Sequence, residues 1–252
     1  MLNRDRIVSQ LNTDTYVQGL VLGDCVDSTN AKVKEMALHG AAEGVTMIAD
    51  TQTGGRGRLG RTFASPEGGL YLSTLLRPVG AVNPGVITCR AAVAAARAIE
   101  SLCPLKIDIK WVNDLFLHDR KVGGILAEGV LSPEGSLTAV VLGIGINVYG
   151  ALPAALDGVA TTLAAQGATL SREDLAAAFL NEWERVYTAS HPTDVMDEYR
   201  RRNLVLGRQV TVVQGNEIDS ATVTAITETG QLVVSTPAGE RVLSSGEVSL
   251  RL

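Results

Sequence analysis

The chain has 252 residues, 46% of them hydrophobic, and its 27 acidic residues outnumber its 22 basic residues to give a net charge of -5. This length can bury a good core in one large domain, or in a large domain plus a small one. The composition argues against a long nucleic acid as the main partner, a membrane-spanning protein and a disulfide framework, because the chain is acidic, lacks a long apolar stretch and has only three cysteines.

The N-terminal segment leads to a polar junction. The pattern predicts a helix from about Arg4 to Leu11, then a strand, and then the run Asp27-Ser28-Thr29-Asn30. Apolar residues at helical spacing follow, with Gly40 as a stop, so a Ser or Asp at the junction would be an ordinary N-cap. Capping explains one of these residues and leaves the others as candidate binding groups.

The next segment, residues 51–61, is a loop that carries three arginines and four glycines. A cationic cluster on an acidic chain favours a small, local anion such as the phosphates of a nucleotide. The alternative is an exposed arginine-rich loop that is merely solvated.

Two known sequence patterns match the residues of this loop but not the segment that follows it. Its glycines match G-x-G-x-x-G after an apolar run at residues 45–49, and residues 55–62 resemble a Walker A loop with Arg61 in place of lysine. Both patterns require a helix directly after the loop. Residues 63–76 instead predict a Pro/Gly turn and a strand, so the sequence favours neither pattern.

Three further polar segments follow a predicted core helix, Pro84 to Leu102. Lys110-Trp111-Val112-Asn113-Asp114 lies between two predicted strands, and residues 120–128 carry a glycine pair that lets a backbone approach a ligand closely. Residues 143–148, Gly-Ile-Gly-Ile-Asn-Val, form a strand pattern interrupted by glycine and ending in an amide.

The C-terminal part changes from mixed helix and strand to strand alone. Residues 171–174 resemble a capping box and open a helix in which Trp183 is predicted to be core. The run Arg200-Arg201-Arg202 is interpreted as a solvated helix end rather than a nucleic-acid patch. Short apolar runs separated by turns then predict a small barrel, with domains at 1–202 and 203–252; the runs are 210–213, 221–226, 232–234, 241–243 and 248–250.

Five of these segments, taken in order, resemble the motifs of biotin protein ligases, which attach biotin to a lysine of a carrier protein. The family order is D-S-T-N, Q-x-x-G-R-G-R-x-G-R, K-W-P-N-D, K-x-x-G-I-L and G-x-G-I-N, and this chain has the same order across residues 27–148. One departure is Val112 where the family usually has proline, which could loosen the placement of Trp111 and Asn113. The resemblance implies an α+β fold, with a biotin/lipoate protein ligase-like catalytic domain of mixed sheet and helices before a small SH3-like β-barrel.

The resemblance also implies the chemistry. The carboxylate of biotin attacks the α-phosphate of ATP to give biotinyl-adenylate and pyrophosphate, and the carrier lysine then attacks this mixed anhydride. Catalysis is therefore mainly positioning and neutralisation of charge, which arginines and Mg²⁺ can supply. A mobile arginine loop that orders over biotin and ATP would keep water from the anhydride.

Residue roles follow from the resemblance alone. Catalysis is expected of Lys121, Arg56 and Arg58. Biotin is expected to contact Ser28, Thr29, Asn30, Gln52, Arg56, Gly57, Arg58, Lys121, Gly123 and Gly124. ATP or the adenylate is expected to contact Arg58, Arg61, Trp111, Asn113 and Asn147. Asp114 is a candidate ligand for Mg²⁺ or, alternatively, a cap or turn residue, and a structural ion-pair partner is an alternative role for Lys110.

The implied partner is the biotin carboxyl carrier protein domain of acetyl-CoA carboxylase or a related carboxylase, and a homodimer is possible. Only 26 residues precede Asp27, so we expect the monofunctional form without an N-terminal DNA-binding domain. A DNA-binding repressor and a nonenzymatic biotin store are weaker alternatives. The closest alternative is a lipoate-protein ligase of the same fold, although Gln52 to Arg61 follows the biotin pattern.

Location and redox state are also expectations from sequence. The N-terminus lacks the layout of a signal peptide, which favours a cytoplasmic protein. Cys25, Cys89 and Cys103 are expected to be reduced residues in or near the core. His39, His118 and His191 lie at no spacing that suggests a metal site or a catalytic triad, so surface or satisfied-core roles are expected for them.

Overall fold

The computed structural model describes residues 1–78, 83–188, 192–214, 217–244 and 247–250. The helices are α1 (Arg4–Val8), α2 (Thr29–Leu38), α3 (Pro84–Leu102), α4 (Arg172–Tyr187) and α5 (Pro192–Arg201). The strands are β1 (Leu20–Val26), β2 (Thr46–Gln52), β3 (Leu70–Leu76), β4 (Asp108–Lys110), β5 (Asp114–Leu117), β6 (Arg120–Leu131), β7 (Leu137–Ile146), β8 (Gln209–Gln214), β9 (Glu217–Ile226), β10 (Leu232–Thr236), β11 (Gly239–Leu243) and β12 (Glu247–Leu250). Among these helices, none combines the length and the apolar run that crossing a lipid bilayer would require.

Seven strands form a mixed sheet in the order β1-β2-β3-β7-β6-β5-β4. The β1–β2 pair is parallel, and every other neighbouring pair is antiparallel. The arginine loop connects β2 to β3, which pair directly with each other. The element that follows the loop is thus a strand, which confirms that neither the dinucleotide fingerprint nor the Walker A pattern applies.

The two faces of this sheet carry different layers, because side chains alternate along each strand. On β7 one set of alternate residues joins the large core against α3 and α4; these are Val140, Leu142, Ile144 and Ile146. On the other face Ala139 and Val141 pack with Val33 of α2, and the next two positions toward the strand end are Gly143 and Gly145. The space that side chains would take there is occupied by the Asn30 amide at Gly143 and by the Phe63 ring at Gly145, so the glycines let these two residues pack against β7.

The helices that pack behind the sheet begin as their sequences predict. Helix α3 has the predicted bounds, with Pro84 in its first turn and the Asn83 side chain accepting from the Gly85 amide at 2.8 Å. Ser171 caps α4 by accepting from the Asp174 amide at 3.1 Å, and Trp183 is fully buried as core. Helix α1 ends at Val8, earlier than the predicted Leu11.

The C-terminal strands form a separate five-stranded antiparallel sheet in the order β11-β10-β9-β8-β12. This confirms the predicted small β-unit after the helices. The sheet contributes Val223, Ile226 and Leu232 to the large core. The domain boundary at residues 202 and 203 stays a prediction.

Two expectations from sequence are wrong. Of the three arginines expected in solvent, Arg201 is exposed, but Arg200 and Arg202 are half-buried and paired: Arg202 donates to Glu100 at 2.6 Å and to Glu198 at 2.8 Å, and Arg200 donates to the Ile226 carbonyl at 2.8 Å. The end of α5 lies between α3 and the C-terminal sheet, so Arg202 connects α5 to α3 and Arg200 connects α5 to β9. Cys25 is exposed, because β1 is the edge strand of the large sheet, whereas Cys89 and Cys103 are buried as expected.

Candidate active site

A cleft of about 380 Å³ opens on the α2 face of the large sheet, where β7 carries its glycines. This volume lies in the range of small-molecule sites. The structure brings most of the predicted site residues to its wall, from segments far apart in the chain: Ser28, Thr29, Asn30, Gln52, Arg56, Gly57, Arg58, Arg61, Trp111, Asn113, Asp114, Lys121 and Gly124.

Two predicted residues do not line this cleft. A side chain at Gly123 would begin 2.6 Å from the Gly145 carbonyl oxygen, so this glycine permits close strand pairing. Asn147 is 5% exposed, and its side chain donates to the Thr161 carbonyl at 3.2 Å. Both residues shape the framework behind the wall, and their ligand contacts stay predictions.

The N-terminus of α2 presents neutral polar groups to the cleft. Ser28 is the N-cap, as predicted, with its Oγ accepting from the Ala31 amide at 3.4 Å. Gln52, at the end of β2, accepts from the Thr29 amide at 2.8 Å and donates to Ser65 Oγ at 2.8 Å. These bonds fix the Gln52 amide, so the cleft has a rigid polar wall without a formal charge.

Behind this wall lies a buried polar cluster that sequence reasoning missed. Ser73 Oγ lies 2.6 Å from Asn30 Oδ1 and 2.7 Å from Thr29 Oγ1, and Asn30 Nδ2 donates to Glu128 Oε2 at 2.7 Å. Ser73 has no exposed surface. A signal was present, because Ser73 is a hydroxyl within the apolar run of β3 and Glu128 closes the K-V-G-G-I-L-A-E segment.

The arginine loop is closed by its own backbone. The Gly57 amide donates to the Arg61 carbonyl at 2.7 Å, and the Phe63 amide donates to the Gly55 carbonyl at 2.9 Å. A side chain at Gly55 would begin 2.4 Å from the Phe63 carbonyl oxygen, so only glycine fits there. Leu59 at the tip has φ of 57° and is 64% exposed.

The three arginines of the loop differ in exposure. Arg56 and Arg61 are exposed, whereas Arg58 is half-buried and its Nη1 lies 3.4 Å from Asn113 Oδ1. Burial lowers the pKa of Arg58, and the nearby Asp114 carboxylate opposes this shift. A second cavity of about 450 Å³ lies between the loop, Leu126 and Glu128.

Lys121 is the cation at the start of β6. Its Nζ lies 2.6 Å from Asp114 Oδ1 and 5.9 Å from the centroid of the Phe63 ring. Lys110 has a similar ring contact, with Nζ 5.7 Å from the Phe116 centroid. Asp114 therefore serves first as the partner that orients Lys121.

Trp111 is held from two sides although Val112 replaces the proline. Trp111 is 5% exposed, and its Nε1 donates at 2.9 Å to the carbonyl of Gly230, in the turn between β9 and β10. The Val112 carbonyl accepts from the Tyr199 hydroxyl at 2.9 Å. Asn113 is fixed by donating to the Ile125 carbonyl at 3.0 Å. The position of residues 111–113 thus depends on both the helical layer and the C-terminal strands.

Groups that could form a metal site or a histidine-based catalytic site are scarce in the part of the chain that the structure describes. There, no cluster of three or more His, Cys, Asp or Glu side chains is placed to hold a metal ion. His39 and His118 are exposed, and His191 lies outside the described residues. The cleft instead combines neutral hydrogen-bonding groups with arginine and lysine cations, which suits a ligand with an uncharged polar ring and an anionic group.

Comparisons with known proteins agree with this chemistry. Residues 22–147 match the model of the biotin/lipoate A/B protein ligase family, and residues 205–251 match the biotin protein ligase C terminal domain. The chain is 35% identical over 192 residues to the bifunctional ligase/repressor BirA of Bacillus spizizenii; the match covers 74% of this chain and 59% of that relative.

Two other matches cover most of this chain and nearly all of the matched protein. The biotin--[acetyl-CoA-carboxylase] ligase of Paracoccus denitrificans is 31% identical over 234 residues, covering 88% of this chain and 96% of that protein. The structure of the Aquifex aeolicus biotin protein ligase in complex with biotin and ATP matches with a TM-score of 0.77 and 30% identity, covering 93% of this chain and 99% of that one.

Proposed function

The chain belongs to the biotin/lipoate A/B protein ligase family, and we propose that it is a biotin protein ligase. It would form biotinyl-5′-AMP from biotin and ATP and then transfer biotin to a lysine of a biotin carboxyl carrier protein. The observation that carries the proposal is the composition of the cleft wall. Neutral polar residues at the start of α2 share one cleft of about 380 Å³ with the arginine loop and Lys121.

The neutral wall suits the ureido ring of biotin, whose carbonyl accepts hydrogen bonds and whose two N–H groups donate them. Ser28, Thr29 and Gln52 would make these bonds. Asn30 is 5% exposed and would support Thr29 from behind rather than reach deep into the cleft. A side chain at Gly57 or Gly124 would meet its nearest protein atom only at 3.4 Å, so packing within the protein does not by itself demand glycine there. Both glycines would instead let the ligand approach the backbone.

In the first half-reaction a carboxylate oxygen of biotin would attack the α-phosphorus of ATP, and the bond to the leaving pyrophosphate would break. Both reactants are anions, so the chain must offset their repulsion. Lys121, Arg56 and Arg58 would do this, with Arg61 on the phosphates. Preorganised cations of this kind accelerate the reaction only if they are held in place, as Asp114 holds Lys121 at 2.6 Å.

The adenosine would lie against the segment that contains Trp111 and Asn113. The indole is fixed by its bond to the Gly230 carbonyl, so it offers a rigid apolar surface. Asn147 would act indirectly, because its side chain is bonded to the Thr161 carbonyl at 3.2 Å.

Mg²⁺ would be held by Asp114 together with phosphate oxygens. Mg²⁺ is commonly bound by one or two carboxylates plus substrate phosphates and waters, so a single carboxylate on the cleft wall fits this mode and does not form an all-protein cage. The ion would supply further neutralisation of phosphate charge when bound.

In the second half-reaction the amine of a carrier lysine would attack the acyl carbon of biotinyl-5′-AMP. The acyl–oxygen bond would break, AMP would leave, and the amine would lose a proton to give the amide. The carrier domain of acetyl-CoA carboxylase or a related carboxylase is the proposed partner, in keeping with the name of the Paracoccus relative. A homodimer and a cytoplasmic location belong to the same proposal, which includes no DNA-binding role.

The test is exchange of labelled pyrophosphate into ATP, with Mg²⁺ present and biotin and lipoate in parallel reactions. Exchange isolates the first half-reaction and requires no carrier. We expect exchange with biotin and none with lipoate. Exchange with lipoate alone would transfer the assignment to the lipoate-protein ligases, and no exchange by folded protein with either acid would overturn the proposal.

A further inference from the structure

A single buried hydroxyl supports residues 111–113 from behind the cleft wall. Trp111 and Asn113 line the cleft, whereas Val112 between them does not and is 5% exposed. The Val112 carbonyl accepts from the hydroxyl of Tyr199, in α5, at 2.9 Å. Tyr199 has no exposed surface. The wall against which adenosine would lie is therefore tied to a side chain in the helical layer.

The bond to the Val112 carbonyl holds the peptide group that joins Val112 to Asn113. Because a peptide group is planar, fixing its carbonyl oxygen also fixes the direction in which the chain enters Asn113. Asn113 is held on its other side by Ile125, whose carbonyl accepts from Asn113 Nδ2 at 3.0 Å and whose amide donates to the Asn113 carbonyl at 2.9 Å. Asn113 Oδ1 lies 3.4 Å from Arg58 Nη1. The Tyr199 hydroxyl thus helps to set where the Asn113 amide lies in the cleft.

Trp111 has a separate support. Its Nε1 donates to the Gly230 carbonyl at 2.9 Å, in the turn between β9 and β10. That turn packs closely on α3, because a side chain at Gly230 would begin 2.7 Å from Cys89 Sγ. Loss of the Tyr199 hydroxyl leaves this bond in place, so its effect is expected at Asn113 rather than at the indole.

Tyr199 is a firmly placed donor. The chain that follows α5 pairs with β4, since the Ile109 amide donates to the Arg202 carbonyl at 2.9 Å and the Leu204 amide donates to the Ile109 carbonyl at 2.8 Å. Burial raises the pKa of Tyr199 well above its ordinary value, so the hydroxyl keeps its hydrogen at neutral pH. The fold therefore presents one donor, in one place, to the Val112 carbonyl.

We propose that Tyr199 is a positioning residue for ATP, which acts through the Val112 carbonyl to hold the Asn113 amide in its nucleotide-binding place. The inference rests on the proposed function. Without the hydroxyl, the peptide group between Val112 and Asn113 loses its buried donor and can take more than one orientation. Only the fraction with the Asn113 amide in place binds ATP, so the apparent affinity for ATP falls by that fraction.

Tyr199→Phe tests this role, because it removes one oxygen and keeps the ring in the core. We expect the KM for ATP in biotin-dependent pyrophosphate exchange to rise roughly fivefold, the factor that corresponds to one neutral hydrogen bond. The exchange rate at saturating ATP and the Kd for biotin, from calorimetric titration, should stay within about twofold. Lys121 keeps its bond to Asp114, and Gln52 keeps its bond to the Thr29 amide.

Tyr16→Phe is the matched control. It removes the hydroxyl of another buried tyrosine, which is 1% exposed and donates to Glu184 at the same 2.9 Å, and it lies outside the cleft. A thermal melt of each variant checks that it is folded at the assay temperature. The control should lose stability and keep the KM for ATP of the parent chain.

Asn113→Ala tests the same path without altering the core. It should raise the KM for ATP at least as much as Tyr199→Phe does, and adding Tyr199→Phe to it should change the KM by less than about twofold, because both act at one contact. A parent-like KM for ATP in either variant, additive effects in the double variant, or an equal rise in the Tyr16→Phe control would overturn the inference alone. No biotin-dependent exchange by the parent chain would remove the proposed function and this inference with it.

Discussion

Gly143→Ala is the substitution whose cost the structure defines most sharply. The added carbon would lie 2.0 Å from Asn30 Oδ1, well inside the 3.0 Å that side-chain carbons keep. Asn30 is buried between Ser73 and Glu128, so its amide cannot withdraw without disturbing the bonds at 2.6 Å and 2.7 Å. One is a neutral hydrogen bond and the other is charge-assisted, which together are worth about 2–4 kcal/mol. We expect the free energy of unfolding to fall by that amount.

Urea unfolding followed by circular dichroism measures this loss. Gly129→Ala is the control in β6, because its nearest neighbour is the end of the flexible Leu137 side chain at 2.8 Å, which can move. In an Asn30→Ala background the clashing oxygen is gone, so Gly143→Ala should then cost less than about 1 kcal/mol. The reasoning is wrong if Gly143→Ala is equally costly in both backgrounds, or if it costs no more than the control.

Three further changes test the site and its support. Lys121→Ala should lower the rate of biotin-dependent pyrophosphate exchange about 100-fold, as loss of a preorganised charge does; exchange at the parent rate would contradict the role of Lys121. Arg58→Gly should still form adenylate but release it sooner, and rapid filtration that finds equal retention would exclude the lid role of the loop. For Glu100 and Glu198, burial acts to raise the pKa but the hydrogen bonds from Arg202, joined for Glu198 by one from Arg97, outweigh it, so both pKa values lie below the ordinary 4.5. Their stabilising contribution is therefore complete above about pH 4.5 and is lost as the pH falls through the lowered pKa values. Arg202→Gln should flatten this acid limb of the unfolding free energy, and an unchanged slope would show that the ion pairs do not stabilise the fold.

Much of the fold could be predicted because its signals are local. Helix α3 has an apolar, alanine-rich pattern with a proline at its start, and α4 has a serine cap, so both beginnings depend on a few adjacent residues. The small C-terminal sheet was predictable from short apolar runs separated by turns. The arginine loop could be separated from nucleotide-binding loops that precede helices, because the strand pattern after it was evident.

Predictions failed where a residue's surroundings come from another part of the chain. Cys25 was expected in or near the core, but the order of strands makes β1 an edge. The arginines at the end of α5 were expected in solvent, but α3 supplies Glu100 as a partner for Arg202. No local pattern reports which helix packs beside another.

The sequence by itself determined the kinds of group at the site and the order in which the chain presents them, since caps, glycine turns and charged loops are set by neighbouring residues. Only the tertiary structure decided which of those groups touch. Asn30 meets Ser73 and Glu128 from 43 and 98 positions away, and β7 has glycine at residue 143 because the amide oxygen of Asn30 occupies the space of a side chain. Such contacts arise from the pairing of strands and the packing of α2 on the sheet, and they leave no periodic signal along the chain because the partners lie on separate elements.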